Sequence, residues 1–199
     1  GFATIGFILM TEHAGWRLIA GATALAFVGA AAFGFPFARR LLELADAQWL
    51  ELLRSRSPLL FPDAWIANAA PLMGVQGMTL LAAATRSASQ LRLMFLAVLA
   101  TGVGGIALAW IAGLYWPSVL LLQLQVWRTW WLVAALSPIA FGYLAVNIGR
   151  RPPQEQIALA VLTLAWAETG LGATAPILAA AALLLQCGKT LPSVTFTPR

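Results

Sequence analysis

The sequence has little charge and almost none of the residue types that build disulfides or metal sites. Only 10% of its 199 residues are charged, whereas soluble domains average about 25%. It contains one cysteine, Cys187, and one histidine, His13. A single cysteine cannot form an internal disulfide, and a single histidine does not make a zinc site. A water-soluble domain, a disulfide framework and zinc chemistry are therefore excluded, and we identify no metal-ligand set.

Apolar residues dominate what remains. The hydrophobic set makes up 61% of the chain, and the mean hydropathy is +0.84. Because so few polar residues cannot cover a soluble surface, the composition predicts an integral membrane protein whose main partner is the lipid bilayer. The net charge of +5 comes from 12 basic and 7 acidic residues scattered through loops. It forms no dense basic stripe, so no nucleic-acid partner is expected.

Long charge-free stretches predict membrane spans, since a charge at the bilayer centre costs about 2.5 to 3.5 kcal/mol. Four such stretches cover residues 18–38, 64–85, 93–114 and 129–149. A fifth apolar stretch, residues 157–187, is interrupted by Glu168, Gly170, Gly172 and Pro176. It can form one interrupted helix or two short helices, and we favour two. The predicted fold is all-α: a polytopic transmembrane bundle of about five or six spans with an interfacial amphipathic helix.

Alternation of the four spans predicts which loops lie together. Residues 39–63 and 115–128 fall on one side of the membrane, and the short loops 86–92 and 150–156 fall on the other. The short loops carry Arg86, Arg92, Arg150 and Arg151, so we assign them to the cytoplasm.

The two ends of the chain differ in character. Residues 1–10 are apolar but too short to span a bilayer, and no initiator methionine precedes them. We expect them to be the tail of an earlier helix. The predicted organisation is one transmembrane helical domain over residues 1–187, belonging to a longer protein, and a disordered tail over residues 188–199.

The first candidate site lies in residues 38–65. Apolar positions 41, 42, 45, 49, 52 and 53 recur at helical spacing, which predicts an amphipathic surface helix ending near Ser57, ahead of Pro58. Arg54 and Arg56 at its end can bind a phosphate or pyrophosphate group through paired guanidinium donors. Alternatively, they pair with Glu51 and with lipid head groups.

The second candidate site opens the fourth span. It consists of Gln123, Gln125, Trp127 and Arg128, followed by Trp130 and Trp131. Amides, indoles and an arginine at one membrane boundary can hold a polar head group or stack on a sugar ring. The alternative is an aromatic belt with a snorkelling arginine.

The third candidate is Glu168, next to Thr169. A carboxylate within a membrane segment is a functional candidate by default. A helix break near the interface would equally explain its position.

Two segments carry a family resemblance. Residues 54–65, RSRSPLLFPDAW, and residues 122–132, LQLQVWRTWWL, resemble bacterial multi-spanning membrane proteins similar in layout to GT-C type glycosyltransferases. Those enzymes use a polyprenyl-phosphate-linked sugar, and the similarity covers about residues 16–150. It implies a multi-pass protein of the bacterial inner membrane whose extracytoplasmic loops bind that donor. It also implies a catalytic acidic residue in a loop upstream of Gly1, so Asp63 does not inherit that role. If the resemblance holds, a divalent metal is the one cofactor that it implies.

The resulting functional hypothesis is the C-terminal membrane portion of a GT-C-like glycosyltransferase. Arg54, Arg56 and Arg128 would hold the anionic donor, while Gln123, Gln125 and Trp127 would line the site; the catalytic residue is not identified. Two alternatives stay open. One is a transporter or flippase subunit that uses Glu168, and the other is a non-catalytic membrane scaffold.

Overall fold

The computed structural model describes residues 14–146 and 151–187. In these two ranges every regular element is helical, and the only β-type pairing is one isolated bridge between Leu44 and Ser118. The all-α prediction is confirmed. The predictions for residues 1–10, His13, Arg150 and the tail 188–199 lie outside the described residues.

Nine α-helices lie in the described ranges, and we number them in chain order. They are α1 (Ala14–Ala32), α2 (Pro36–Arg39), α3 (Ala47–Arg56), α4 (Ile66–Arg86), α5 (Ser89–Leu114), α6 (Val119–Leu124), α7 (Trp130–Ala145), α8 (Pro153–Ala167) and α9 (Thr174–Cys187). Short 3₁₀ turns cover Pro58–Leu60, Pro62–Ala64, Val126–Thr129 and Thr169–Leu171.

Helix α4 is the centre of the bundle. It packs against α5, α7, α8 and α9, while α8 and α9 form an antiparallel hairpin. The face of α4 that these helices cover is rich in small residues, including Ala82, Ala83 and Ala84, beside the fully buried Val75 and Leu80. Small side chains allow close approach of helix axes, which is the usual way in which apolar helices associate.

Two helices in the described ranges are long and apolar enough to cross a membrane: α4, of 21 residues, and α5, of 26 residues. At 1.5 Å per residue, α4 is about 31 Å long, close to the thickness of a hydrocarbon core of about 30 Å. These helices correspond to the predicted spans 64–85 and 93–114. The other apolar helices are shorter, so the structure does not show the predicted bundle of about five or six spans.

Local backbone breaks explain the shorter helices. Residues 18–38 do not form one helix, because α1 ends at Ala32 and Gly34 then adopts φ +82°, just before Pro36 starts α2. A positive φ and a proline both interrupt helical hydrogen bonding. Helix α7 has 16 residues because Val146, with φ −60° and ψ 130°, leaves the helical conformation; residues 147–149 of the predicted span lie outside the described residues.

The apolar stretch 157–187 forms two helices, as predicted. Helix α8 ends at Ala167, and α9 begins at Thr174. Between them lies Gly172 with φ +83°, a conformation that glycine adopts without steric cost. Helix α8 begins earlier than predicted, at Pro153, because a proline is well suited to the first turn of a helix.

The predicted pairing of loops is confirmed. Residues 39–63 and 115–128 are joined by backbone hydrogen bonds, from Ala45 N–H to the Pro117 carbonyl at 2.9 Å and from Val119 N–H to the Glu43 carbonyl at 3.0 Å. The short loops meet at the opposite end of the bundle, where Arg86 pairs with Glu155 at 2.9 Å.

The predicted amphipathic helix ends where expected but begins later. Helix α3 ends at Arg56 with Ser57 as its C-cap. It starts only at Ala47, because Asp46 is the N-cap and its carboxylate accepts a 2.7 Å hydrogen bond from Trp49 N–H. Residues 41–45 are instead held by the loop pairing. The Trp49 and Leu53 side chains pack into a small core around Phe61, so α3 is anchored to the bundle.

One glycine should be essential to this packing. A Cβ on Gly105 of α5 would collide with the Thr129 hydroxyl and lie 2.5 Å from the Val126 carbonyl oxygen. We expect Gly105→Ala to lower the free energy of unfolding by about 1 to 3 kcal/mol, because neither neighbour can move without shifting the 3₁₀ turn. Unfolding in detergent followed by circular dichroism measures this.

The matched control is Gly104→Ala, where a Cβ meets nothing within 4 Å. An equal loss of stability in both variants would contradict the close packing of α5 on Val126–Thr129.

The ion-pair cluster at the short-loop end should also stabilise the fold. The Glu155 side chain is 15% exposed and contacts both Arg86, at 2.9 Å, and Arg151, at 3.4 Å. We expect Glu155→Gln to cost about 1 to 2 kcal/mol, as two charge-assisted hydrogen bonds weaken. Glu51→Gln, on the exposed side of α3, should cost less than about 0.5 kcal/mol. Equal effects would show that the cluster adds no stability.

Candidate functional site

One end of the bundle collects most of the candidate residues, and we call it the cap: residues 39–65 and 115–129. Its core is formed by Phe61, Leu122 and Ala112 of α5, with Trp49, Leu50, Leu53, Leu60 and Leu121 packed around them. The two sequence segments that carry the family resemblance meet here, since the Trp65 and Trp127 rings lie 5.9 Å apart. The fold therefore brings together candidates that are some sixty residues apart in the chain.

Arg54 is engaged by other groups of the cap. Its guanidinium donates to Asp63 Oδ2 at 2.8 Å and to the Gly113 carbonyl at 3.2 Å, and it lies 4.4 Å from the centre of the Phe61 ring. The predicted partner Glu51 is replaced by Asp63. Arg54 thus ties α3 to the end of α5 and to the turn at Asp63, and these contacts use two of its terminal nitrogens.

Arg56 and Gln123 lie at the surface of the cap. Arg56 is the last residue of α3, and it forms no hydrogen bond or ion pair with the residues that the structure describes. Gln123 accepts a 3.3 Å hydrogen bond from Arg40. Arg40 is a further cap arginine that sequence reasoning did not select, and its presence adds positive charge beside the second candidate segment.

Three indoles form a ladder at the cap. The Trp127 ring lies 5.9 Å from the rings of both Trp65 and Trp131. The exposed Arg128 guanidinium lies 5.7 Å from the Trp127 ring and 5.4 Å from the Trp131 ring, within cation–π distance of both. In the described ranges it has no carboxylate partner, so its N–H donors are available to an anion beside the two indoles.

Gln125, two residues before Trp127, has a constrained backbone conformation. It has φ 49° and ψ 51°, and it separates α6 from the Val126–Thr129 turn. A left-handed glutamine is uncommon and costs energy that the surrounding packing must supply. The Gln125 Oε1 and Trp127 Nε1 atoms are buried and lack hydrogen-bond partners within the structure. The second candidate segment is thus both strained and incompletely satisfied.

Glu168 lies in the turn of the α8–α9 hairpin. It is partly buried, its backbone N–H bonds to the Leu164 carbonyl, and its carboxylate contacts no described hydrogen-bond or ion-pair partner. The hairpin runs beside α4, where Trp166 Nε1 donates to the Thr79 hydroxyl at 3.0 Å. Glu168 thus belongs to the α8–α9 hairpin and not to the cap.

Sequence reasoning missed a polar cluster at the opposite end. Glu155 bridges Arg86 and Arg151, and Arg86 also donates to the Gln186 carbonyl at 2.7 Å. A cavity of about 370 Å³ opens beside them. The arginines of the short loops were the one sequence signal for this cluster. Their contacts with Glu155 and with the Gln186 carbonyl depend on the three-dimensional packing of α4, α8 and α9.

No group of three or more His, Cys, Asp or Glu side chains that could hold a metal ion occurs in the part of the chain that the structure describes. No protein-family model, curated protein or solved structure matches this chain.

Proposed function

We propose that the chain is a multi-pass helical membrane protein whose cap lies at one membrane boundary and binds an anionic lipid head group. The membrane placement is supported by α4 and α5, the two helices of spanning length. It is also supported by the surface of α5, where Leu96, Val103, Leu108 and Ile111 are between 38% and 52% exposed. Such a surface is suited to lipid and unfavourable in water.

The observation that carries the head-group proposal is the position of Arg128. Its guanidinium is exposed and unpaired by any described carboxylate, and it lies 5.7 Å and 5.4 Å from the ring centres of Trp127 and Trp131. Tryptophan rings favour the membrane interface, and a planar guanidinium presents two parallel donors to a phosphate. A lipid phosphate would therefore gain both a charge-assisted pair and an aromatic wall at this position.

Four arginines of the cap have different roles in this proposal. Arg128 contacts the phosphate, whereas Arg54 holds the cap together through Asp63 and Gly113. Arg56 and Arg40 supply exposed positive charge around it, which attracts an anionic membrane surface.

The resemblance to GT-C type glycosyltransferases suggests the reaction in which a bound lipid phosphate would take part. In that proposal the chain is the C-terminal membrane portion of an enzyme that transfers a sugar from a polyprenyl phosphate. Arg128 would stabilise the charge that develops on the departing lipid phosphate. The described residues offer no metal-ligand set, so we assign no step of the reaction to a metal in this chain.

Substitution of Arg128 tests the head-group proposal. Binding of a short-chain polyprenyl phosphate to the protein in detergent can be followed by tryptophan fluorescence, because Trp127 and Trp131 line the site. We expect Arg128→Gln to weaken binding about 10- to 100-fold, which corresponds to the loss of a hydrogen-bonded charge pair. Arg128→Lys should recover only part of it, since an ammonium lacks the planar pair of donors.

Arg92→Gln is the matched control, because Arg92 lies at the opposite end of the bundle and bonds to the Ser87 carbonyl. It should bind the probe as the wild type does. Unchanged affinity in Arg128→Gln would overturn the proposal.

A transporter remains a second candidate because of one observation, the partly buried Glu168 carboxylate without a described polar partner. A carboxylate in the turn of a hairpin packed within a membrane bundle can carry a proton or bind a substrate cation.

In vesicles loaded with a pH-sensitive dye, a proton-coupled carrier should dissipate an imposed pH gradient about 10-fold faster than its Glu168→Gln variant. The difference follows because the amide of the variant cannot bind and release a proton, whereas an intramembrane carboxylate can. The exposed Glu51→Gln serves as control. Equal rates in all three proteins would exclude this role for Glu168.

A further inference from the structure

An apolar groove runs along the outside of the bundle between α4 and α5. Its volume is about 310 Å³, and its lining is almost entirely apolar. It is lined by α4 residues between Ile66 and Leu81, with Leu99 and Val103 of α5 and Trp130 of α7 opposite. From Ile66 to Leu81, the rise of 1.5 Å per residue gives a length of about 22 Å.

The groove begins beside the cap. Ile66, at its upper end, directly follows Trp65, and the Trp65 ring lies 5.9 Å from the Trp127 ring. Trp127 in turn lies 5.7 Å from the Arg128 guanidinium. A continuous series of aromatic contacts therefore links the basic group of the cap to the start of the groove.

The walls of the groove are fixed at one side and adaptable at the other. Trp130 is held by a 2.9 Å hydrogen bond from its Nε1 to Gln76 Oε1, which sets the orientation of its ring. At Gly77 a Cβ would lie 3.5 Å from Leu99 and 3.8 Å from Trp130, so a larger side chain there would reach across the groove. Met73 and Met78 contribute flexible side chains that adapt to an irregular apolar ligand.

We propose that this groove holds the hydrocarbon chain of the lipid whose phosphate lies at Arg128. The proposal rests on the head-group function above and specifies the ligand further. Charge complementarity fixes the orientation, because an anionic head can pair with Arg128 while its chain follows the apolar groove down α4. Because the groove is about 310 Å³ in volume, we assign it one hydrocarbon chain, and the ligand is then a single-chain lipid phosphate rather than a diacyl lipid.

Photo-crosslinking tests this placement. The probe is a single-chain alkyl phosphate with a diazirine in the middle of its chain, added to the full-length protein in phosphatidylcholine vesicles. After illumination, crosslinked peptides are identified by mass spectrometry. We expect crosslinks on the α4 segment from Ala70 to Leu81 and around Leu99 and Val103.

Blocking the groove provides the matched comparison. Val103→Trp fills it, whereas Val28→Trp makes the same change on α1, away from the groove; the two valines are 52% and 51% exposed. We expect Val103→Trp to reduce crosslinking on α4 at least 10-fold and Val28→Trp to leave it unchanged. Circular dichroism confirms that both variants are folded.

A diacyl phosphatidate with the same diazirine should crosslink α4 at least 10-fold less than the single-chain probe.

The outcomes separate the groove from the head-group site. If Arg128→Gln abolishes crosslinking but the crosslinks in the wild type fall outside the groove, the groove proposal is overturned and the head-group proposal stands. If Arg128→Gln leaves crosslinking in the groove intact, the head-group proposal fails and so does the inference built on it. Equal crosslinking of α4 by the single-chain and diacyl probes would overturn the single-chain assignment.

Discussion

The close approach of neighbouring helices to α4 is the constraint on which the rest of the structure depends. Alanine and other small residues on its buried face let α7, α8 and α9 pack at short distance. On α5, Gly102 and Gly105 do the same for Trp130, Val133 and the Val126–Thr129 turn. Larger residues would separate the helices, and an apolar chain has few other interactions to hold them together. The position of Trp130, and therefore of the groove and the cap, follows from this packing.

The scarcity of charge has a second consequence, because polar groups inside the bundle must be satisfied locally. Thr79 and Thr101, within their helices, and Ser87, the C-cap of α4, donate to carbonyls four residues earlier. Two indoles donate to polar side chains of α4, Trp130 to Gln76 and Trp166 to Thr79. Among the described residues, the ion pairs lie near the two ends of the bundle: Arg54 with Asp63 at one end, and Glu155 with Arg86 and Arg151 at the other. These ion pairs therefore lie outside the apolar middle, as a membrane-embedded bundle requires.

The two ends of the bundle have different characters. At the short-loop end, Arg86, Glu155 and Arg151 satisfy one another and join three helices, so the cluster stabilises the fold. At the cap, Arg54 has a comparable structural role, but Arg128 stays exposed beside two indoles and Gln125 stays strained and partly unsatisfied. Strain and unmet polar atoms are typical of functional positions, which is why the ligand proposals centre on the cap.

Composition and periodicity alone determined the all-α fold, the two long apolar helices, the helix break near Gly172 and the pairing of the longer loops. These properties follow from local propensity, from hydrophobicity and from the alternation of spans, all of which are encoded in short stretches of sequence. The shortening of the first and fourth predicted spans depended on backbone breaks whose effect hydropathy does not measure. Only the tertiary structure decided that Arg54 pairs with Asp63, that Trp65 meets Trp127, and that a groove opens between α4 and α5. Those contacts join residues far apart in the chain, and their geometry depends on how closely the helices pack, which no local pattern specifies.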